Sequence, residues 1–443
     1  MTIVQRFAEF AAGFETQPVP PEIVHHAKRA VIDWYAALLP GAVVPPATLL
    51  ERALSEELDH GAAHLALGRK ATPRAAALVN GTAAHTMEVD DIFREAIYHP
   101  GAPVIAAALA AAEATGSSGE HFLKAVIAGY EISTRIGAAM GRAHYRFWHS
   151  TGTVGTFGAA AAAAMIFRLD RQAFAHALAT ASTFAAGLQQ AFRMDSMSKP
   201  LHAGRAAEGG LLAAMAARQG VTGSLDIMEG DSGFGRAMGA APDWDAALAT
   251  LGREFHIAQI TFKNHACCGH TFAAIDGALE VQKTLGVPAA AIARVRVKTY
   301  GEALAVAGNA QPATPAEARF SLPYVVATAL VHGSVRLAAF DQARIADAAT
   351  RGLMDRIALV VDPGIDAAFP GRRAALVTIE TKDGRIERYL QQTRKGDPDM
   401  PLTDKELEEK YLELTVPVIG RSKAASLLER LWRLDSQQSL DLH

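Results

Sequence analysis

Small apolar residues at helical spacing fill the first 255 residues, and this feature limits the fold more than any other. Residues 21–41 begin at Pro21, have apolar residues at helical spacing and end at a Pro-Gly pair. Residues 159–164 are all alanine, and apolar residues 165–167 continue the run. Because small side chains let helices approach closely, this run predicts a buried packing helix rather than a low-complexity segment. Other helices are predicted at residues 102–115, 119–140, 154–168, 171–188, 200–219 and 243–253.

The sequence changes character near residue 260, where strand-like segments appear. Residues 294–300 and 374–380 are rich in the residue types that favour strands. The second segment is followed by Asp383-Gly384, a typical hairpin signal. Helices are predicted at residues 271–285 and 322–331, and amphipathic helices return after residue 403.

At 443 residues the chain is longer than one hydrophobic core usually supports, so we expect two domains. The predicted fold class is mainly α, with a large all-helical domain and a smaller inserted α+β lid domain. The helical domain is expected to comprise residues 1–259 and 394–443, and the lid domain residues 260–393.

Charge and cysteine content exclude several functional classes. The net charge is −3 and no basic stretch has interleaved aromatic residues, so we expect no nucleic-acid partner. Cys267 and Cys268 are adjacent and no CxxC pair exists, so neither a disulfide nor a zinc site is expected. No signal peptide or membrane-spanning stretch is recognised, so we predict a cytoplasmic protein with no membrane partner.

The segment from residue 80 to residue 101 concentrates acidic residues beside a histidine. Glu88, Asp90 and Asp91 crowd one turn, and His99 precedes Pro100, which disfavours helix at the histidine. A histidine at the entrance of the following helix can face a cleft. Taken alone, the segment is explained more simply as a helix cap with a solvated acidic turn.

Residues 144–155 contain two histidines, a tyrosine and an arginine before a run of hydroxyl and glycine residues. Backbone N–H groups at such a helix start, together with the helix dipole, can bind an anion. An N-cap explains the hydroxyls of Ser150 and Thr151 without any ligand. It does not explain His149 and Tyr145, so we favour a functional role for this segment.

Lys199 precedes Pro200, which suits the first position of a helix, so Lys199 is predicted to be the N-cap. A cation at the positive end of a helix loses its proton more readily and can act as a general base. His202 and Arg205 follow at steps of three residues and are expected on the same helix face. Most lysines are simply exposed to solvent, but the position of Lys199 at a helix start, beside two other basic residues, favours a functional role.

Residues 263–271 contain Cys267, Cys268 and His270, with ligand types and spacing that do not fit a metal site. A cysteine–histidine nucleophile remains open, although a buried structural cysteine is the usual case. Proton donors lining a cleft fit this segment better than either.

Taken together and in order, these segments resemble the MmgE/PrpD superfamily over nearly the whole chain. The superfamily includes 2-methylcitrate dehydratase, cis-aconitate decarboxylase and iminodisuccinate epimerase. The matching segments are residues 80–101, 129–137, 149–153, 196–205, 225–230, 263–268, 320–324 and 395–398.

The resemblance implies a helical domain and a lid domain with the active site between them, a homodimer, and chemistry with no cofactor and no metal. His99, His149 and Lys199 fall on positions that match the decarboxylase-type site. Cys268 stands where decarboxylases have histidine, and Phe272 stands where the family has a later histidine, with His270 nearby. These changes argue against decarboxylation specifically and leave proton abstraction intact. The acidic turn also departs from the family pattern, with Glu88 at its first acidic position and Ile92 where threonine often follows.

We therefore predict an enzyme that abstracts the proton α to a carboxylate of a small di- or tricarboxylic acid, most simply an epimerase of the iminodisuccinate type. The alternative is a lyase such as 2-methylcitrate dehydratase or cis-aconitate decarboxylase, and a remote alternative is a non-catalytic carboxylate-binding protein. Lys199 is the expected base, opposed by His149, His99 or Tyr145. The expected substrate-binding residues are Arg205, His202, Glu88, Asp91, Thr151, Cys268 and His270.

Overall fold

The computed structural model describes residues 1–192, 196–369, 371–440 and 442. The chain forms two compact units, one made of Met1–Thr261 and Thr403–His443 and the other of Phe262–Leu402. Helices predominate and the strands form two small sheets, so the predicted mainly α class is confirmed.

The first unit is built from thirteen helices in its described residues. They are α1 (Ile3–Thr16), α2 (Pro21–Ala42), α3 (Ala47–Ala53), α4 (Pro73–Ala84), α5 (Gly101–Thr115), α6 (Gly119–Tyr145), α7 (Ser150–Ile166), α8 (Arg171–Phe184), α9 (Ser198–Arg218), α10 (Phe234–Met238), α11 (Trp244–Ala249), α19 (Asp404–Ile419) and α20 (Arg421–Trp432).

Among the described helices of the first unit, α7 is the most deeply buried. All of its residues are buried, and the alanines at 159–164 have no exposed surface, as the sequence predicts. Helices α5, α6 and α9 pack around it, because its small side chains allow close approach. Since His149 directly precedes Ser150, the buried helix places this histidine inside the unit.

Glycines on α4 and α9 let these two helices touch. A Cβ on Gly81 would lie 3.0 Å from the Cα of Gly204, and a Cβ on Gly204 would overlap the hydroxyl of Thr82 and the carbonyl of Leu78. The contact fixes the start of α9, which carries Lys199.

We expect Gly204→Ala to lower the free energy of unfolding by about 2 to 3 kcal/mol, because the added methyl group forces two packed helices apart. The measurement is urea unfolding followed by circular dichroism. Gly13→Ala is the matched control, because a Cβ on this helical glycine would meet only Gln17 Nε2, at 3.7 Å. Equal losses of stability in both variants would show that close packing is not the reason for Gly204.

The first unit also contains a two-stranded antiparallel sheet, so the prediction of an all-helical domain was wrong in this detail. The strands are β1 (Leu58–His64) and β2 (Lys70–Ala71). Their residues have little strand propensity, and Asp59 and Gly61 both have positive φ angles within β1. The pairing therefore depends on local turns that leave no alternating pattern in the sequence.

The second unit contains a four-stranded mixed sheet. Its strands are β3 (Ile292–Thr299), β4 (Ile357–Val361), β5 (Ala375–Thr381) and β6 (Ile386–Gln391), in the order β4-β3-β5-β6. β3 pairs parallel with β4 and antiparallel with β5, and the predicted Asp383-Gly384 hairpin joins β5 to β6. Its helices are α12 (Phe272–Leu285), α13 (Gly301–Ala307), α14 (Pro315–Arg319), α15 (Leu322–His332), α16 (Gln342–Ile345), α17 (Ala348–Met354) and α18 (Pro363–Ala368).

The second unit continues through Leu402, beyond the boundary at residue 393 expected from the sequence. The segment after β6 is bound to this unit by its backbone. The N–H of Lys395 donates to Asp276 at 2.9 Å, and the carbonyl of Gly396 accepts from the N–H of Phe262 at 3.0 Å.

Across the described residues, no helix taken singly has the length and apolarity to cross a membrane. One bent pair, Pro21–Ala42 with Ala47–Ala53 at 68°, meets those criteria by length and composition when counted together.

Candidate active site

Asp90 lies at the centre of a buried group of histidines in the first unit. Its Oδ2 is 2.6 Å from His85 Nδ1 and 3.1 Å from His99 Nδ1, and its exposed fraction is 1%. Burial alone would raise the pKa of the Asp90 carboxyl, but the charges of His99 and His85 outweigh it and hold this pKa well below its usual range. Asp90 is therefore an ionised carboxylate that joins two imidazoles.

Glu88, two residues earlier in the same turn, forms an ion pair with Lys199. Glu88 has a φ of 58°, in the left-handed region that side chains other than glycine rarely adopt. Helix α9 begins at Ser198, with Met197 as its N-cap. Lys199 is thus in the first turn of the helix rather than at the predicted N-cap, because the helix starts two residues before Pro200.

His149 connects the Asp90 group to Lys199. Its ring lies 5.3 Å from the rings of His85 and His202, and its Nδ1 is 3.1 Å from His202 Nδ1. Burial, followed by the charges of His85 and Lys199, holds the pKa of His149 well below its usual range. The same causes lower the pKa of His202 to about 4. At neutral pH both imidazoles are uncharged beside a cationic lysine.

Phe192 covers part of this group. Its ring lies 4.8 Å from the ring of His149 in an edge-on arrangement, and Lys199 Nζ lies 5.2 Å from its centre. The ring shields the lysine and the histidine from solvent and places a cation over an aromatic face. The adjoining residues 193–195 lie outside the described part of the chain.

Asp91 and Thr151, expected to bind substrate, have polar atoms bonded within the protein. Asp91 accepts hydrogen bonds from the N–H of Gly101 at 3.0 Å and the hydroxyl of Tyr130 at 2.7 Å. The hydroxyl of Thr151 accepts the N–H of His99 at 3.2 Å. Burial raises the pKa of Asp91 well above its usual range. These contacts hold the start of α5 and the backbone of His99 in place.

Arg205 and Tyr145, two further predicted site residues, lie on α9 and at the end of α6. Arg205 forms an ion pair with the buried Glu208, and the Arg205 side chain is 55% exposed. The Glu208 carboxylate also pairs with Arg74. Tyr145 is the last residue of α6 and is half-buried. The adjacent His144 is bonded through Nε2 to Thr153 Oγ1 at 2.7 Å, which joins the end of α6 to the start of α7.

Cys268 and His270 belong to the second unit. His270 Nδ1 lies 2.9 Å from the hydroxyl of Tyr300, and burial, then the charges of two arginines, lower the pKa of His270 to about 3. Cys268 is half-buried, and its N–H donates to the carbonyl of Arg319 at 2.9 Å. Phe272 is fully buried as the first residue of α12.

Two family models match the chain, the MmgE/PrpD N-terminal domain over residues 5–247 and the MmgE/PrpD C-terminal domain over residues 265–434. The chain belongs to the MmgE/PrpD family. The resemblance seen in the sequence is confirmed.

Several relatives span nearly the full length of this MmgE/PrpD protein. A cis-aconitate decarboxylase-like protein, oryM, of Aspergillus oryzae is 28% identical over 98% of the chain and 93% of the relative. The cis-aconitate decarboxylase of Homo sapiens is 26% identical over 98% and 92%, and that of Aspergillus terreus 25% identical over 98% and 93%. These matches identify the chain as an enzyme of the lyase or isomerase type.

The group around Asp90 contains residues that the sequence interpretation missed. The sequence does not predict His85 as a site residue, and it predicts Asp90 only as part of an acidic turn. Their spacing of five residues is compatible with a contact across a turn but does not predict one, and the fold shows that the contact exists. His202, expected only to bind substrate, directly contacts His149.

One group in this site has the geometry to hold a metal ion. One ligand atom each of His85, Asp90 and His99 lie within 4.8 Å of one another, and two imidazoles with one carboxylate are a common donor set for transition metals. This group was not predicted from the sequence. The carboxylate oxygen already accepts the short hydrogen bond from His85, which equally fits a proton-holding network.

The lowered pKa values of His149 and His202 predict a loss of stability in mild acid. An unfolded histidine binds a proton below about pH 6.5, whereas His202 in the fold does so only near pH 4. Between these values the unfolded state binds more protons, so stability falls as the pH falls.

We expect His202→Asn to reduce this loss between pH 6.5 and pH 4 by about 1 to 2 kcal/mol, a value that allows for solvent screening of a partly exposed group. Denaturant unfolding at a series of pH values is the measurement. Replacement of the exposed His60 by asparagine is the control and should leave the pH dependence unchanged. Parallel curves for wild type and His202→Asn would contradict the prediction.

Proposed function

We propose that this chain is a lyase that removes CO2 from an unsaturated tricarboxylate of the cis-aconitate type. The observation that carries the proposal is the ion pair of Lys199 with Glu88, next to two histidines with depressed pKa values. Three relatives that match over nearly the full chain are cis-aconitate decarboxylases or decarboxylase-like proteins, which supports a lyase over the epimerase that the sequence alone favoured.

Decarboxylation of such a substrate breaks the bond between a saturated carbon and its carboxylate, which leaves as CO2. The electron pair of that bond forms a new double bond to the central carbon. The pair of the old double bond moves to the outer carbon, next to its own carboxylate, and that carbon takes one proton. The products are CO2 and a dicarboxylate with a terminal methylene group, so the enzyme must supply one proton to carbon.

Lys199 is the group we assign to this step. An ion pair with Glu88 is formed by the ammonium, so Lys199 delivers a proton rather than removing one. This reverses the role predicted from the sequence, in which Lys199 at the N-cap acts as a neutral base. Solvent then restores the proton.

His149 and His202 donate hydrogen bonds to the substrate as neutral imidazoles in this proposal, and His99 is oriented by Asp90. Helices α7 and α9 both begin at this group, and their positive ends favour the carboxylates of a bound polyanion. Preorganised donors of this kind stabilise the negative charge that develops when CO2 leaves.

Epimerisation of an iminodisuccinate-type substrate is the second candidate. It would require one group to remove the proton from the carbon next to a carboxylate and another to return a proton on the opposite face. Cys268, at a position where decarboxylases have histidine, favours epimerisation, and Phe272 stands at the position of a later family histidine. Phe272 is buried in the core of the second unit and has no proton to give.

A homodimer stays a prediction, which light scattering of the purified protein would test.

The deciding experiment is incubation of the purified protein with cis-aconitate in D2O, followed by proton NMR and CO2 detection. We expect CO2 release and one deuterium in the product, on the carbon next to the carboxylate. Parallel samples contain 2-methylcitrate and single enantiomers of iminodisuccinate. Deuterium exchange with inversion of iminodisuccinate, without CO2 from cis-aconitate, would replace the proposal with the epimerase.

A further inference from the structure

Lys410 is a fully enclosed lysine that contacts the acidic turn of the candidate site. It lies on α19, far along the chain from the site, and its exposed fraction is 1%. Its Nζ donates to Asp33 Oδ1 at 2.5 Å and to the carbonyl of Val89 at 2.7 Å. Val89 stands between Glu88 and Asp90, the two acids that bind Lys199 and the histidines.

The acidic turn needs support from outside because its backbone is strained. Glu88 has a φ of 58°, and such a conformation persists only where the surroundings determine it. Asp91 is held by Tyr130 and the backbone of Gly101. The Val89 carbonyl lies in the peptide bond that leads into Asp90, so a donor on this oxygen fixes the direction in which Asp90 leaves the turn.

The choice of a charged residue at this buried position also needs a reason. Removing an ammonium from water is costly, and an apolar side chain on α19 would pack against α2 without that cost. An apolar side chain could not donate a hydrogen bond to Val89. Asp33, on α2, balances the charge of Lys410 and holds its Nζ at the turn.

We propose that Lys410 is a positioning residue of the active site: it holds the acidic turn so that Glu88 reaches Lys199 and Asp90 reaches His85 and His99. The kinetic part of this inference rests on the proposed lyase function. Lys410 acts through the turn and does not contact the substrate.

The kinetic test compares Lys410→Met with the double variant Asp33→Asn/Lys410→Met. The single variant leaves a buried carboxylate without its cation, whereas the double variant removes the charge and recovers stability. We expect kcat to fall on the order of tenfold to 100-fold in both, with KM little changed, because the turn is misplaced and the binding groups remain. Recovery of kcat together with stability in the double variant would overturn the proposal.

Lys405→Met is the matched control, because Lys405 is on the same helix with a side chain that is 85% exposed. It should leave kcat unchanged. If kcat fell as much in Lys405→Met as in Lys410→Met, the proposal would be overturned, because any substitution on α19 would then lower kcat.

A second readout does not depend on the reaction. Nitrogen NMR of the histidine rings reports the hydrogen bond of His85 to Asp90 and the ionic contact of His99 with the same carboxylate. We expect these signals to shift in the double variant and to stay in place in Lys405→Met. Unchanged signals would overturn the positioning role, whereas shifted signals in a protein that releases no CO2 would refute only the lyase function.

Discussion

Lys199→Ala is expected to lower kcat for CO2 release by about 1,000-fold while the protein remains folded. Positioned acid–base groups contribute about 100-fold to 10,000-fold to a rate, and Lys199 is the cation that we assign as the proton donor. Its side chain is 18% exposed and forms the ion pair with Glu88, so its loss also leaves Glu88 without its cation. The measurement is steady-state CO2 release, with circular dichroism to confirm the fold.

Lys199→Arg separates charge from proton donation. Arginine can keep the ion pair with Glu88, but its guanidinium does not give up a proton at neutral pH. We therefore expect Lys199→Arg to bind substrate and to remain nearly as inactive as Lys199→Ala. Activity above about a tenth of wild type in Lys199→Arg would show that the positive charge alone is needed.

Arg218→Ala is the control for this pair of variants. Arg218 is a cation in the last turn of the same helix, and its guanidinium lies 5.3 Å from the ring of Phe167. It should keep full activity. A large loss there would mean that α9 is sensitive along its whole length and that Lys199 has no special role.

Much of the fold could be read from periodicity and small residues. The alanine run at 159–164 predicted a buried helix, and it is buried without exception. The two-residue strand Lys70–Ala71 could not be predicted, because a pairing this short depends on the turn before it. Strand β4 was also missed, since its five residues form a short apolar run that fits a helix equally well.

The candidate site was predictable where one residue stood out in its own segment. His149 at a helix start and Lys199 before Pro200 were recognisable in this way. His85 was not, because a histidine at the end of an alanine-rich helix carries no local signal, and only the fold shows that it contacts Asp90. Arg205 was assigned to substrate, although Glu208 follows it by three residues on the same helix and could have been recognised as its ion-pair partner.

Asp90→Asn is expected to lower kcat by about 100-fold, because His85 and His99 lose the carboxylate that orients their rings. Replacing the carboxylate that orients a catalytic histidine by an amide has cost a well-studied hydrolase about 10,000-fold, through the wrong imidazole tautomer. Here the carboxylate acts on the histidines next to the proton donor, so a smaller loss is expected. Steady-state CO2 release is the measurement.

The same substitution should change how stability depends on pH. The pKa of Asp90 in the fold lies well below its value of about 3.9 in an unfolded chain. Its contribution to stability is therefore complete above about pH 4 and is lost as the pH falls through the lower folded value. Asp90→Asn should destabilise the protein by about 3 kcal/mol at pH 7, and the difference from wild type should shrink below pH 4.

Asp231→Asn provides the comparison, because the Asp231 side chain is fully exposed and pairs with the exposed Arg236. It should change neither kcat nor the way in which the free energy of unfolding depends on pH in acid. If Asp90→Asn lost stability by the same amount at every pH, the carboxylate would not be ionised beside the two histidines. The Asp90 group would then be a neutral packing element, and the orientation of His99 would need another explanation.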